Sequence, residues 1–136
     1  MKKIILLFVS AVMFIACQSA PTKTTDSPSV AKSGVIEMAP QEARPAVEAA
    51  YAQFIDVRTP DEFKSGHAYR ARNIPLDTLK ENLDQLERNE PVYLICQTGK
   101  RSMQAAQTLN QAGFPQTISI AGGTTAWQEA GLPMAK

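Results

Sequence analysis

The chain predicts an α/β fold, a parallel sheet with helices on both faces, and three observations predict it. Short apolar runs at Phe54-Ile55-Asp56-Val57, Val92-Tyr93-Leu94-Ile95 and Thr117-Ile118-Ser119-Ile120 read as buried strands. Stretches with helical spacing separate them, and alternation of strand and helix means a parallel sheet covered on both sides. At 136 residues the chain is long enough for one domain and no more.

The folded part is read as residues 34–134. Val35-Ile36-Glu37-Met38 is a short first strand. A helical stretch then runs to about Tyr51, with Pro45 either interrupting it or opening its main part. After the strand that carries Asp56, Thr59-Pro60-Asp61-Glu62 has the form of a helix start. Thr59 caps, Pro60 suits the first helical position, and Glu62 completes a capping box. Asn73-Ile74-Pro75 reads as another short strand. Leu76, Leu79, Leu83 and Leu86 recur at helical spacing and predict a helix up to about Arg88. Residues 102–112 read as a helix with Ala105, Ala106, Leu109 and Ala112 on one side, stopped by Gly113 and Pro115. Gly122-Gly123 turns into a final helix that carries Trp127 into the core. No internal repeat is present.

The N-terminus carries a separate signal. Lys2-Lys3 precede residues 4–16, which are apolar apart from Ser10. Thirteen residues are short for a bilayer span but suit the apolar core of a secretory signal. The run ends in Phe14-Ile15-Ala16-Cys17, which resembles a bacterial lipobox with Phe14 in place of the usual Leu. On that reading residues 1–16 are a lipoprotein signal peptide and Cys17 is the lipid-bearing new N-terminus. Residues 17–33, rich in Ser, Thr, Pro and Lys, are then a flexible tether. Simple signal cleavage with Cys17 incidental is the alternative. The expectation is a periplasm-facing domain, lipid-anchored to the cell membrane, with Gln18 favouring the outer membrane where one exists.

Composition excludes some classes. A formal charge of +1, with 20% charged residues and no basic stretch interleaved with aromatics, argues against a nucleic-acid partner. Removal of residues 1–16 takes two lysines, leaving 12 basic against 13 acidic residues, a count of −1. Cys96 is then the one cysteine beyond Cys17, so no intramolecular disulfide forms within the domain. With one His and one available Cys, a zinc site lacks ligands, and neither a metal nor a cofactor is expected.

The most informative stretch is Cys96-Gln97-Thr98-Gly99-Lys100-Arg101-Ser102, directly after the strand at 92–95. Sites in open α/β sheets form outside the carboxyl ends of strands. A loop closing over a helix N-terminus points N–H groups and positive partial charge at what it encloses. A cysteine there should lose its proton readily and tolerate an anion beside it. A buried structural cysteine is the competing reading, and spacing alone leaves the two about even. A thiol in an oxidising space is a liability unless used or shielded, which favours a working cysteine.

Four stretches in order then resemble the rhodanese family of single-domain sulfurtransferases. They are Phe54-Ile55-Asp56-Val57-Arg58; Glu62-Phe63-Lys64-Ser65-Gly66-His67 leading to Asn73-Ile74-Pro75; the Cys96 loop; and Gly122-Gly123 with Trp127 and Gly131-Leu132-Pro133. The resemblance implies a rhodanese-like fold, Cys96 as the sulfur carrier, and a substrate-binding loop of Gln97, Thr98, Gly99, Lys100, Arg101 and Ser102. The six residues from Cys96 to Arg101 match the sulfurtransferase branch. The phosphatase and arsenate branch has a loop one residue longer, since tetrahedral phosphate needs a wider cradle. The family commonly has Arg where this chain has Gln97, and Gly where it has Arg70. A side chain at position 70 predicts a different turn there.

The resemblance implies ping-pong sulfur transfer from a small sulfane anion such as thiosulfate, through a Cys96 persulfide, to a thiol or cyanide acceptor, in a monomer. Lys100 and Arg101 beside the nucleophile favour dianionic thiosulfate over 3-mercaptopyruvate. His67, Asp56, Arg58 and Trp127 are read as structural, with Asp56 and Arg58 tying strand to helix through Glu62. Two other readings are a persulfide-binding or partner-docking module without turnover, and a phosphatase or arsenate reductase.

Overall fold

The computed structural model describes residues 29–30 and 34–136. The stretch read as a signal peptide, Cys17 and most of the stretch read as a tether lie outside the described residues. The elements in chain order are β1 (Ser29–Val30), β2 (Ile36–Met38), α1 (Pro40–Val47), β3 (Gln53–Asp56), α2 (Pro60–Ser65), β4 (His67–Ala68) and β5 (Arg72–Asn73). A 3-10 segment (Leu79–Gln85), β6 (Val92–Ile95), α3 (Lys100–Gln111), β7 (Thr117–Ile120), α4 (Gly123–Glu129) and β8 (Met134–Ala135) follow.

The main sheet has the order β1-β2-β7-β6-β3-β5. All pairings from β2 to β5 are parallel. Only β1 is antiparallel, setting Ser29 opposite Glu37 within the stretch read as tether. β4 and β8 form a small ribbon of their own. Because successive strand residues point to opposite faces, the sheet feeds two cores. Ile55, Val57, Leu94 and Cys96 join Leu79, Leu86, Ala105, Ala106, Leu109 and Phe114 on the α3 face. Phe54, Ile95 and Ile120 join Ala43, Val47, Trp127 and Leu132 on the α1 and α4 face. Each fully buried large apolar side chain is worth about 1.5–3 kcal/mol relative to exposure. Trp127 is core as read: it packs 5.4 Å from Phe54, and its Nε1–H donates to Pro133 O at 3.0 Å.

Three element expectations are corrected. The leucines at 76–86 do not form an α-helix to Arg88. They lie on a 3-10 segment, interrupted at Asn82 (φ −117°, ψ 22°). The Asn82 side chain donates to Thr78 O at 2.8 Å, taking the carbonyl that an α-helix would offer to its backbone. The apolar face survives: Leu79 and Leu86 are buried, and Leu76 and Leu83 pack on the same core. Pro45 lies inside α1 and neither interrupts nor opens it, and the helix stops at Val47. α3 begins at Lys100, not Ser102, because Gly99 adopts a left-handed conformation (φ 94°) and ends the loop early. Lys100, Arg101 and Ser102 are therefore first-turn residues.

The α2 start is as read. Thr59 Oγ1 accepts from the Glu62 N–H at 3.3 Å, and Glu62 Oε2 accepts from the Thr59 N–H at 2.9 Å. Arg70 departs from expectation in another way. It keeps a positive φ (69°), alone among the described non-glycine residues. That costs about 1–2 kcal/mol. Its guanidinium offsets part of this by donating to Glu48 O, at the end of α1, at 2.9 Å.

Candidate active site

Cys96 follows β6, between β3 and β7, with 1% of its surface exposed. The left-handed turn at Gly99 folds the loop back, so the Gly99 N–H donates to Cys96 Sγ at 3.1 Å. Ser102, one helical turn on, places Oγ 3.6 Å from Sγ. Ser102 Oγ donates to Gly99 O at 3.0 Å and meets Ser119 Oγ at 2.8 Å. A hydroxyl has one proton, so with that proton on Gly99 O, Ser102 accepts from Ser119 and from the thiol. The sulfur thus sits against a buried hydroxyl pair on one side and a backbone donor on the other.

The outer wall of the loop is held by α4. Thr124 donates from N and from Oγ1 to Cys96 O, at 2.7 and 3.1 Å. Thr125 does the same to Gln97 O, at 3.2 and 3.0 Å. This approach requires Gly123: a Cβ there would meet Cys96 O at 2.3 Å and Gln97 C at 2.7 Å.

Asp56 and Arg58 form the lower brace. Arg58 Nε lies 3.1 and 3.0 Å from the two Asp56 carboxylate oxygens, and Nη2 donates to Asp56 Oδ2 at 2.7 Å. Nη2 also donates to Gly66 O at 2.7 Å, and Nη1 to Gln97 Oε1 at 3.1 Å. Gln97 Nε2 in turn donates to Thr125 Oγ1 at 3.1 Å. Both ends of the Gln97 amide are therefore engaged by the protein. An Arg at this position would oppose the Arg58 guanidinium.

The expected link of Asp56 and Arg58 to α2 through Glu62 is not formed, because Arg58 spends its donors on Asp56, Gly66 and Gln97. Glu62 pairs instead with Arg101: Nη1 to Oε2 at 2.8 Å and Nη2 to Oε1 at 2.7 Å. That bidentate contact, helped by donation from Thr59, lowers the Glu62 carboxyl from 4.5 to about 2. The same contact raises Arg101, and the Asp56 carboxylate adds to it.

Of the residues singled out from sequence, Cys96, Gly99 and Ser102 meet at the sulfur. Gln97 and Arg101 are braces. Thr98 and Lys100 are exposed, and Lys100 forms no ion pair among the described residues. His67 stacks on Phe63 at 3.7 Å and its Nδ1–H donates to Phe63 O at 2.9 Å, a structural placement as read. No cluster of three or more His, Cys, Asp or Glu able to hold a metal occurs among the described residues. Ser119, Thr124 and Thr125 went unnoticed in the sequence. A serine at a core-facing position of an apolar strand was the available signal for the first. Two threonines opening a helix after Gly-Gly were the signal for the others.

Comparison with known proteins agrees with this fold. The family model described as a rhodanese-like domain matches residues 39–130. An uncharacterized Bacillus subtilis protein, YqhL, is 47% identical over 76 residues, 56% of this chain and 60% of that protein's length. The chain thus spans about three fifths of that relative. Thiosulfate sulfurtransferase GlpE of Vibrio cholerae is 34% identical over 92 residues, covering 68% of this chain and 87% of GlpE. Among solved structures, a rhodanese-like domain protein of Staphylococcus aureus superposes with a TM-score of 0.64 at 31% identity, covering 74% of this chain and 98% of that one. A rhodanese-related protein of Thermoplasma volcanium gives 0.65 at 30% identity, with 73% and 96% covered. From its fold, its Cys96 loop and these matches, the chain belongs to the rhodanese-like domain family.

Proposed function

We propose that the domain is a sulfurtransferase that moves a sulfane sulfur from a donor such as thiosulfate to a thiophilic acceptor through a persulfide on Cys96. The observation that carries this reading is the Cys96 sulfur held at a strand's carboxyl end between the Gly99 N–H and the Ser102 hydroxyl. In the first half-reaction the Cys96 thiolate attacks the outer sulfur of thiosulfate. The sulfur–sulfur bond of the donor breaks, its electron pair leaves with sulfite, and Cys96 keeps a persulfide. In the second, a thiol or cyanide takes that outer sulfur and returns the electron pair to Cys96 Sγ. Charge is conserved in each step, and no metal or cofactor is required.

This chain's own contacts suit those steps. The Gly99 N–H faces the atom on which negative charge returns, and a donor fixed in place stabilises charge without reorganising. The braces from Arg58 and from Thr124 and Thr125 hold the loop open around a single sulfur atom. Arg101 is balanced by Glu62, so among the loop cations Lys100 is the one left to meet an anionic donor. Support also comes from the likeness to the Vibrio thiosulfate sulfurtransferase. The resemblance of Phe14-Ile15-Ala16-Cys17 to a lipobox supports the further reading that the working domain is lipid-anchored at Cys17 and faces the periplasm.

Mass spectrometry of the purified domain after thiosulfate treatment tests the reading. The expected result is a gain of one sulfur atom on Cys96, discharged by cyanide with thiocyanate release. The Cys96→Ser variant, nearly isosteric, is expected to fold normally, gain no sulfur and lose turnover. Turnover near the parent's in that variant would overturn the mechanism. Stable loading without release to any acceptor would instead mark a carrier module.

A further inference from the structure

Sulfur transfer needs a place for the acceptor after the donor has gone. At the carboxyl ends of β3 and β5, between the 3-10 segment and α3, lies a cavity of about 540 Å³. Small-molecule sites occupy roughly 300–1,000 Å³. One wall is apolar, with Val57, Pro75 and Leu76. Arg101 is part of the lining and also closes the loop around Cys96, so the cavity and the sulfur site share a wall. Arg101 is already matched by Glu62. Lys80 and Asp77, also in the lining, are exposed and form no ion pair among the described residues.

Opposite charges left open beside an apolar wall do not complement sulfite or cyanide, which have no organic body. They complement a small zwitterion with a carbon skeleton. We propose that this cavity is the acceptor subsite and that it takes an amino-acid thiol, free cysteine or a short cysteinyl peptide. The carboxylate lies toward Lys80, the ammonium toward Asp77, and the carbon skeleton against Leu76 and Pro75. The inference rests on the sulfurtransferase reading. The acceptor thiolate attacks the outer sulfur of the Cys96 persulfide, the persulfide S–S bond breaks, and its electron pair returns to Cys96 Sγ. The acceptor leaves as its own persulfide, with no oxidant or reductant needed.

The test uses four thiols on the parent, Lys80→Ala and Asp77→Asn. Each protein is loaded with thiosulfate, freed of donor, and discharged by cysteine, 3-mercaptopropionate, cysteamine or 2-mercaptoethanol. One partly exposed charge contact, up to about 1 kcal/mol, corresponds to about a fivefold effect. Lys80→Ala is expected to slow discharge by cysteine and 3-mercaptopropionate about that much and to leave cysteamine and 2-mercaptoethanol unchanged. Asp77→Asn is expected to slow cysteine and cysteamine only. The same ratio for all four thiols in either variant, or no change for any, would overturn the acceptor subsite while leaving sulfur transfer intact. Failure of the parent to load would overturn the sulfurtransferase reading itself, and the subsite with it.

Discussion

Arg101 and Glu62 form a two-pronged ion pair, at 2.8 and 2.7 Å, that fastens the start of α2 to the first turn of α3. Glu62 Oε2 also receives the Thr59 N–H, so one carboxylate caps a helix and anchors the loop that encloses Cys96. The pair removes one of the two cations expected to greet an anionic donor.

Acid stability follows from that pair. The Glu62 carboxyl lies at about 2 in the folded protein against 4.5 ordinarily, with Arg101 as the leading cause. A group depressed on folding stabilises fully above its unfolded value and loses that contribution as pH falls through its folded value. Glu62→Gln should therefore flatten the decline in thermal midpoint between about pH 4.5 and 2. Because both side chains are 35% exposed, the stability lost at neutral pH should stay below about 1 kcal/mol. Thermal melts across that range check it, and parallel curves for parent and variant would contradict the assignment.

Gly123→Ala should be costly for a reason separate from its φ of +59°. The new Cβ would meet Cys96 O at 2.3 Å, whereas at Gly131, with φ +68°, nothing lies within 4 Å. Gly131→Ala should cost about 1–2 kcal/mol from backbone strain alone. Gly123→Ala should cost a further 1–3 kcal/mol from overpacking and should lower sulfur loading of Cys96. Urea unfolding of both variants makes the comparison, and equal losses would show that the close approach of α4 carries no weight.

Lys100→Gln should lower kcat/KM for thiosulfate several-fold, as expected for an exposed charge contact worth about 1 kcal/mol. The effect should shrink as salt is added. It should be small for 3-mercaptopyruvate, which carries one carboxylate. Steady-state rates with both donors test this. Equal losses would show that Lys100 acts on the loop and not on the substrate.

Cys17→Ala should abolish palmitate incorporation in a bacterial host and leave the protein soluble or as precursor, with the domain still active. Equal labelling of parent and variant would refute the lipobox. In a host with an outer membrane the labelled parent should fractionate there, given Gln18.

The sequence by itself determined the parallel sheet, the α2 cap and the Cys96 loop, because these depend on local pattern. Buried strands announce themselves as apolar runs, and Thr59-Pro60-Asp61-Glu62 is a complete helix start within four residues. Apolar spacing in residues 76–86 correctly marked the face that meets the core, but it could not separate an α-helix from a 3-10 segment. Asn82 decided that by taking a carbonyl for its side chain. Only tertiary structure decided the partners of the charged residues. Glu62 could have paired with Arg58 or Arg101, and nothing in spacing ranks contacts between elements 39 residues apart. The same holds for Ser119 behind the sulfur and Gly123 against the Cys96 carbonyl. Their roles exist only because β6, β7, α3 and α4 converge at the carboxyl end of the sheet's central strands, and distance in space, unlike periodicity, is not written along the chain.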